Sequence, residues 1–377
     1  MEPWDMHITR RFAAFVAVLA LAGSIAPASA GRYREIQVSD AGGLGRVEVR
    51  GKTAAVLRRD EGIVTLMDLR SGEEIGSYSD GASRSLDGDV AFSRSGDYLF
   101  YARQTEQFSR DGLHVLDISD PGAIALSTYQ PMGGAYRVAT YFDGEVEWVF
   151  VLDATHGLVV FRFEPTSGQV VPVAVDALPA LKVGGPASAG IHIDPKDPIT
   201  GSPLMYVTTG ETGLQIYDIT NPAAPQVVGE WDDVGLAEIE VVANRKSRTV
   251  YAATEYWFDA SLEPEIVMLD ATDLNAISEH HRFDAAGAAD PTNKERIQGM
   301  ALAPGRLLVA HSTLGLISFS RSGKIVERVA VDEGPTPGPK AATLGSPYVM
   351  DVEWSSGYAL VTDAASGQMT LVPRSSL

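Results

Sequence analysis

Gly112-Leu-His-Val-Leu-Asp-Ile-Ser-Asp-Pro121 and Gly213-Leu-Gln-Ile-Tyr-Asp-Ile-Thr-Asn-Pro222 are two copies of one pattern. A glycine opens an apolar run, an aspartate ends it, and an Asp-Pro or Asn-Pro step follows. An apolar run this short, bounded by turn residues, reads as a strand packed on one or both faces. Asp and Asn side chains accept from nearby backbone amides and Pro fixes φ, so each ending is a turn. Weaker copies are Ile63-Val-Thr-Leu-Met-Asp68, Gly157-Leu-Val-Val-Phe161, Ile266-Val-Met-Leu-Asp270, Gly315-Leu-Ile-Ser-Phe319 and Gln368-Met-Thr-Leu-Val372. The seven copies recur every 45–56 residues, close to the period of a propeller blade.

Each copy is the third strand of a four-stranded unit. Inner strands are predicted at 47–49, 89–92, 137–141, 191–193, 238–242, 298–302 and 350–354, and a second strand follows each of them. Fourth strands are legible only six times, at 74–78, 123–129, 169–175, 226–231, 276–283 and 324–331. The chain ends just after the seventh third strand. Segment 33–38, Tyr-Arg-Glu-Ile-Gln-Val, reads like the missing fourth strand. Placed in the last blade, it would join the two ends of the chain and leave no open sheet edge. The expectation is an all-β, seven-bladed β-propeller of antiparallel blades, closed by an N-terminal strand and forming one domain over 31–377. No segment shows a sustained 3.6-residue period, so helix should be scarce.

The composition agrees. The 377 residues are 45% hydrophobic and 21% charged, which suits a folded domain. There is no Cys, so a disulfide scaffold is excluded. The formal net charge of −19 opposes phosphate backbones and anionic lipid, so no nucleic-acid partner is expected. At the amino terminus, Arg10 and Arg11 precede an apolar run over 12–22, and Ala28-Ser29-Ala30 is a small-x-small cleavage site. That order is a secretory signal peptide over 1–30, and it predicts a periplasmic or secreted product. The run is shorter than the ~20 apolar residues of a membrane span.

Residues 116–121 and 217–222 resemble the LVIVD-repeat family, and Ala-Ala-Pro-Gln-Val-Val-Gly-Glu-Trp231 continues the second copy close to that family's full unit. Its members are exported or surface proteins of bacteria and archaea that look like β-propellers. The resemblance implies fold and location and carries no catalytic motif. Blade three departs most, with Phe161-Arg-Phe-Glu-Pro165 in place of the Asp ending. A fainter similarity joins Ile191-His-Ile-Asp-Pro-Lys-Asp-Pro198 to the β-propeller phytases, which hold calcium on carboxylates. Gln298 stands where that family has a metal-binding acid, and 185–190 has no carboxylate.

Two places could carry function. The longest connections, 104–111, 176–189, 255–265, 284–295 and 332–346, fall on one face of a propeller, where binding loops sit on a rigid frame. Tyr256, Trp257 and Phe258 form an aromatic cluster there, suited to a flat sugar, ring or peptide or else to covering the ring's edge. Arg137 is a further candidate for that face.

The second place is the axis. Aligned inner strands give one ring of Arg46, Asp89, Arg137, Gly190, Glu238, Gly299 and Asp351, then another with Glu48, His192, Glu240 and Glu353. Carboxylates around a narrow channel suit Ca2+, and His192 beside Glu240 and Glu353 suits another divalent cation. The alternative is a water-filled channel in which Arg46 and Arg137 neutralise part of the charge. Gly-x-Ser-x-Gly, His-Glu-x-x-His and phosphate-loop motifs are absent from the sequence. The expectation is a monomeric, non-enzymatic module binding a protein, glycan or small molecule. The alternative is a metal-dependent hydrolase, phytase-like or lactonase-like, at the channel mouth.

Overall fold

Short apolar runs separated by turns give seven four-stranded antiparallel sheets, one after another along the chain. The computed structural model describes residues 33–79, 81, 85–105, 110–174, 189–209, 213–233, 236–254, 265–284, 297–312, 314–329 and 349–377. Blades are numbered here in chain order. Their inner strands are Leu44–Arg50, Ser85–Phe92, Ala135–Phe142, Ala189–Asp194, Leu236–Ala243, Ile297–Ala303 and Val349–Ser355. Among the described residues the only helical turns are Pro121–Ala123 and Arg374–Ser376. No helix among them is long and apolar enough to cross a membrane.

Blade 7 takes its outer strand from the other end of the chain. Arg34–Gln37 pairs antiparallel with Gln368–Pro373, Arg34 opposite Leu371 and Gln37 opposite Gln368. The amides of Val38 and Ser39 then both donate to the Gly367 carbonyl, at 3.0 and 3.1 Å. The predicted closing strand is therefore in place.

Inner strands run longer than the sequence suggests. In six of them the register slips near the start, for example between Leu44 and Val47 and between Val349 and Asp351. A bulge breaks the two-residue alternation, so the residues before it lose the strand signature. In blade 2 the outer strand begins at Ala125, not at 123, because Pro121–Ala123 forms a 3-10 turn. The Asp120 side chain accepts from the Gly122 amide at 3.1 Å and caps that turn.

The core is divided. Seven apolar clusters lie one in each seam between neighbouring blades. The seam of blades 3 and 4, for instance, packs Phe150 and Leu152 against Met205 and Val207. The closing seam packs Ile36, Met369 and Leu371 with Leu44, Val47 and Val56. Each such side chain contributes roughly 1.5–3 kcal/mol when buried, and only a neighbouring blade can bury it.

Candidate functional site

Alternation along an inner strand turns every second side chain to the axis. The seven strands together enclose a polar channel cavity of about 340 Å³. Its lining includes Arg46, Glu48, Asp89, Arg137, His192, Glu238, Asp351 and Glu353. The two rings expected from the alignment thus share one cavity, in two storeys. The upper storey lies nearer the face where inner strands begin.

The upper storey is a closed network. Arg46 pairs with both oxygens of Glu238, Nη1 at 3.1 Å from Oε2 and Nη2 on Oε1. Arg137 Nη2 donates to the same Glu238 Oε1 at 3.1 Å, and its Nη1 donates to the Tyr136 carbonyl at 2.9 Å. Arg46 Nη1 also lies 3.5 Å from Asp351 Oδ1. Two aspartates stitch neighbouring blades through backbone amides. Asp351 accepts from Val352 of its own strand and from Val47 of blade 1, both at 2.9 Å. Asp89 accepts from Val90 at 2.9 Å and from Val138 of blade 3 at 3.1 Å. Glycine is required at the remaining two positions. A Cβ on Gly299 would stand 2.2 Å from Asp351 Oδ1, and one on Gly190 would stand 2.4 Å from the Ala237 carbonyl.

The charges follow from this wiring. Burial would raise the Glu238 carboxyl, but Arg46 and Arg137 outweigh it and hold the group below its usual range. Burial pushes Asp351 up to about 7, with Arg46 and the Val47 amide pulling the other way. Asp89 is raised by burial too, against the pull of Arg137 and Arg46.

The lower storey has less compensation. Burial and the charge of Asp351 push Glu353 up to about 8. Glu48 is raised well above the carboxylate range by burial and then by Glu353. Glu240 is raised likewise by burial, Glu353 and Glu238, with Arg321 opposing. Burial lowers His192 to about 4, so its imidazole is neutral near pH 7. Its Nδ1 lies 3.8 Å from Glu240 Oε2, a contact between a neutral ring and a carboxyl that favours its proton. Among the described residues, no three His, Asp or Glu side chains have the spacing that holds a metal ion.

The structure brings Asp89, Arg137, Glu238 and Asp351 together, with His192, Glu240 and Glu353 one storey further in. Arg137, a candidate for the loop face, is buried in the channel with its guanidinium engaged. Tyr256, Trp257 and Phe258 lie outside the described residues, as does the segment over 1–30. The Asp-Pro-Lys-Asp-Pro segment that hinted at calcium serves a structural end. Asp197 accepts from Thr200 N at 2.6 Å and Thr200 Oγ1 at 2.8 Å, and it faces Arg248 of blade 5, with both side chains fully buried. Sequence reading missed that pair. Its one visible signal was an aspartate between prolines, a mark of turn chemistry.

Comparison with known proteins places the fold. The LVIVD repeat matches residues 89–129 and 204–233, the units that contain the two clearest strands. No curated protein matches the chain. Among solved structures, the Cps50 (Swd1) β-propeller domain of Myceliophteria thermophila is similar, with a TM-score of 0.52 and 14% identity over 90% of this chain and 98% of that one. Raptor of Chaetomium thermophilum is similar with a TM-score of 0.58 and 11% identity, over 90% of this chain but only 28% of its own length. At these identities the likeness concerns the fold alone. Repeat match, strand order and ring closure agree: this chain is a seven-bladed β-propeller carrying LVIVD repeats.

Proposed function

We propose that the protein is an exported, non-enzymatic binding module whose partner meets the long connections on the face where the inner strands begin. The upper storey of the channel is the observation that supports this reading. Its charged groups are spent on one another and on backbone amides of neighbouring blades: Glu238 on Arg46 and Arg137, Asp351 on Val47, Asp89 on Val138. Groups tied in this way hold a frame. So engaged, these groups do not serve as the free base beside a nucleophile that hydrolysis requires. Long loops on such a frame can vary without disturbing it. Export is supported by the order of basic, apolar and small residues over 10–30. The partner would be a protein, an envelope glycan or a small molecule.

The test compares the mature chain with and without chelator and Ca2+. A binder shows no change in melting temperature and no turnover of a phosphate monoester or a lactone. A metal at 100 times its Kd would add about 2.7 kcal/mol of stability. Chelator-sensitive turnover would replace this reading with the metal-dependent hydrolase. Export is checked by amino-terminal sequencing of the secreted product, which should begin at Gly31.

A further inference from the structure

A second cavity, of about 660 Å³, opens on the opposite face, at the seam where the ring closes. It is built from turns. Gly51 and Lys52 join the first two strands of blade 1, and Leu69 and Arg70 follow its third strand. Ser355 ends the inner strand of blade 7, and Ser356 and Gly357, which join it to the second strand, both take left-handed φ, 52° and 87°. That two-residue turn sets Tyr358 at the lip, with 44% of its surface exposed. Tyr33, Leu69 and Pro373 complete an apolar lining.

The charge here runs against the rest of the molecule. The chain has 49 acidic and 30 basic residues, yet among the described residues the groove is lined by Arg34, Lys52 and Arg70 and by no carboxylate. Arg34 Nη1 donates to the carbonyls of Leu69 and Arg70, at 2.9 and 2.8 Å, which leaves its positive charge unneutralised. None of the three bases forms an ion pair among the described residues. Asp68, whose charge Lys52 feels, is engaged by the amides of Arg70 and Ser71, both at 2.8 Å.

We propose that this groove docks an acidic peptide segment of a partner protein, an apolar side chain resting between Tyr33 and Tyr358 and carboxylates meeting Arg34, Lys52 and Arg70. The bases come from three separate elements: the closing strand, an inner turn and an outer turn. A single carboxylate meets one of them, whereas an extended acidic chain can meet them in succession. Aromatic anchors flanked by cations concentrate binding energy at such a site and select for charge. This surface is distinct from the loop face and does not depend on it.

The test uses the mature full-length protein and a fluorescein-labelled peptide of two Phe-Glu-Asp-Glu units, read by fluorescence anisotropy. The same peptide with Gln and Asn for its acids should bind at least about tenfold more weakly. Lys52→Glu and Arg70→Glu should each weaken the acidic peptide at least about fivefold, and Tyr358→Ala about tenfold. Melting temperatures should hold, since these side chains are exposed. Replacing 255–264 by a short Gly-Ser linker should leave affinity unchanged.

Equal affinity for the acidic and amide peptides would overturn the proposal. So would indifference to both charge reversals. Loss of binding on replacing 255–264 would move the peptide to the loop face and leave the groove unused. Binding of anionic vesicles through Lys52 and Arg70, with none of the peptide, would replace the peptide by a lipid surface.

Discussion

Substituting Arg248 by Met should cost about 3–5 kcal/mol, the usual loss when one partner of a buried ion pair is removed. Arg248 opens the second strand of blade 5, and Asp197 lies in the turn after the inner strand of blade 4, so the pair spans a seam. Neither side chain has any exposed surface. Arg248 Nε donates to Asp197 Oδ1 at 3.1 Å, and Nη2 lies 2.7 Å from Oδ2. Nη1 donates to the Ala271 carbonyl. Methionine fills much of the same volume but strands a carboxylate in a dry interior. Adding Asp197→Asn to Arg248→Met should recover part of the loss, because the stranded charge disappears while the Thr200 donors keep an acceptor.

The assay is urea unfolding at neutral pH, followed by tryptophan fluorescence. A pH series adds an independent check. Burial opposes ionisation of Asp197, but Arg248 and the Thr200 donors outweigh it, so its folded pKa is lowered. A lowered carboxyl stabilises fully above its unfolded pKa of about 4, and that contribution is lost as pH falls through the folded value. In Arg248→Met the acid slope should flatten. A loss below about 1 kcal/mol with an unchanged acid slope would refute the reasoning, because a pair worth so little is solvated.

The channel should respond in the opposite pH direction. Asp351 at about 7 and Glu353 at about 8 are raised, so stability is full in acid and falls as pH climbs through those values. Melting temperature should drop between about pH 5 and about pH 9, and Glu353→Gln should flatten the drop, as differential scanning fluorimetry would read. Asp351→Ala leaves the Val47 amide buried without its acceptor and should cost about 1–3 kcal/mol in urea unfolding. Deleting 32–39 removes the outer strand of blade 7 and exposes the edge of Gln368–Pro373. Size-exclusion chromatography should then show aggregates, and a stable monomer would contradict the closure.

Periodic features were legible in the sequence. Seven third strands, the alternation that sends Arg46, Asp89, Glu238 and Asp351 to the axis, and the closing strand at 33–38 are all local patterns. The expected neutralisation by Arg46 and Arg137 also appears. What the sequence withheld is pairing. Alternation says that Arg46 and Glu238 face inward, but 192 positions separate them and only ring closure brings them together. Asp197 and Arg248 were hidden for the same reason, 51 positions apart on different blades. The inner-strand starts were obscured by bulges, where two residues oppose one and the alternation slips.

The seams show why a frame so irregular in sequence can still close. Three of them carry polar ties besides the apolar cluster, and the chain supplies these by different means. Blade 7 reaches blade 1 through Asp351 on Val47 N and through Thr362 Oγ1 on the Gly45 carbonyl, at 2.9 and 2.7 Å. Blade 2 reaches blade 3 through Asp89 on Val138 N. Blade 4 reaches blade 5 through Thr208 Oγ1 on the Ala237 carbonyl and through the pair of Asp197 and Arg248. All these groups lie on strands or their turns, the parts of a scaffold that carry loops. A ligand bound by those loops should raise the melting temperature by mass action while leaving the alkaline drop of the channel unaltered. A ligand that abolished the drop would be bound to the channel carboxyls, and the loop-face reading would fail.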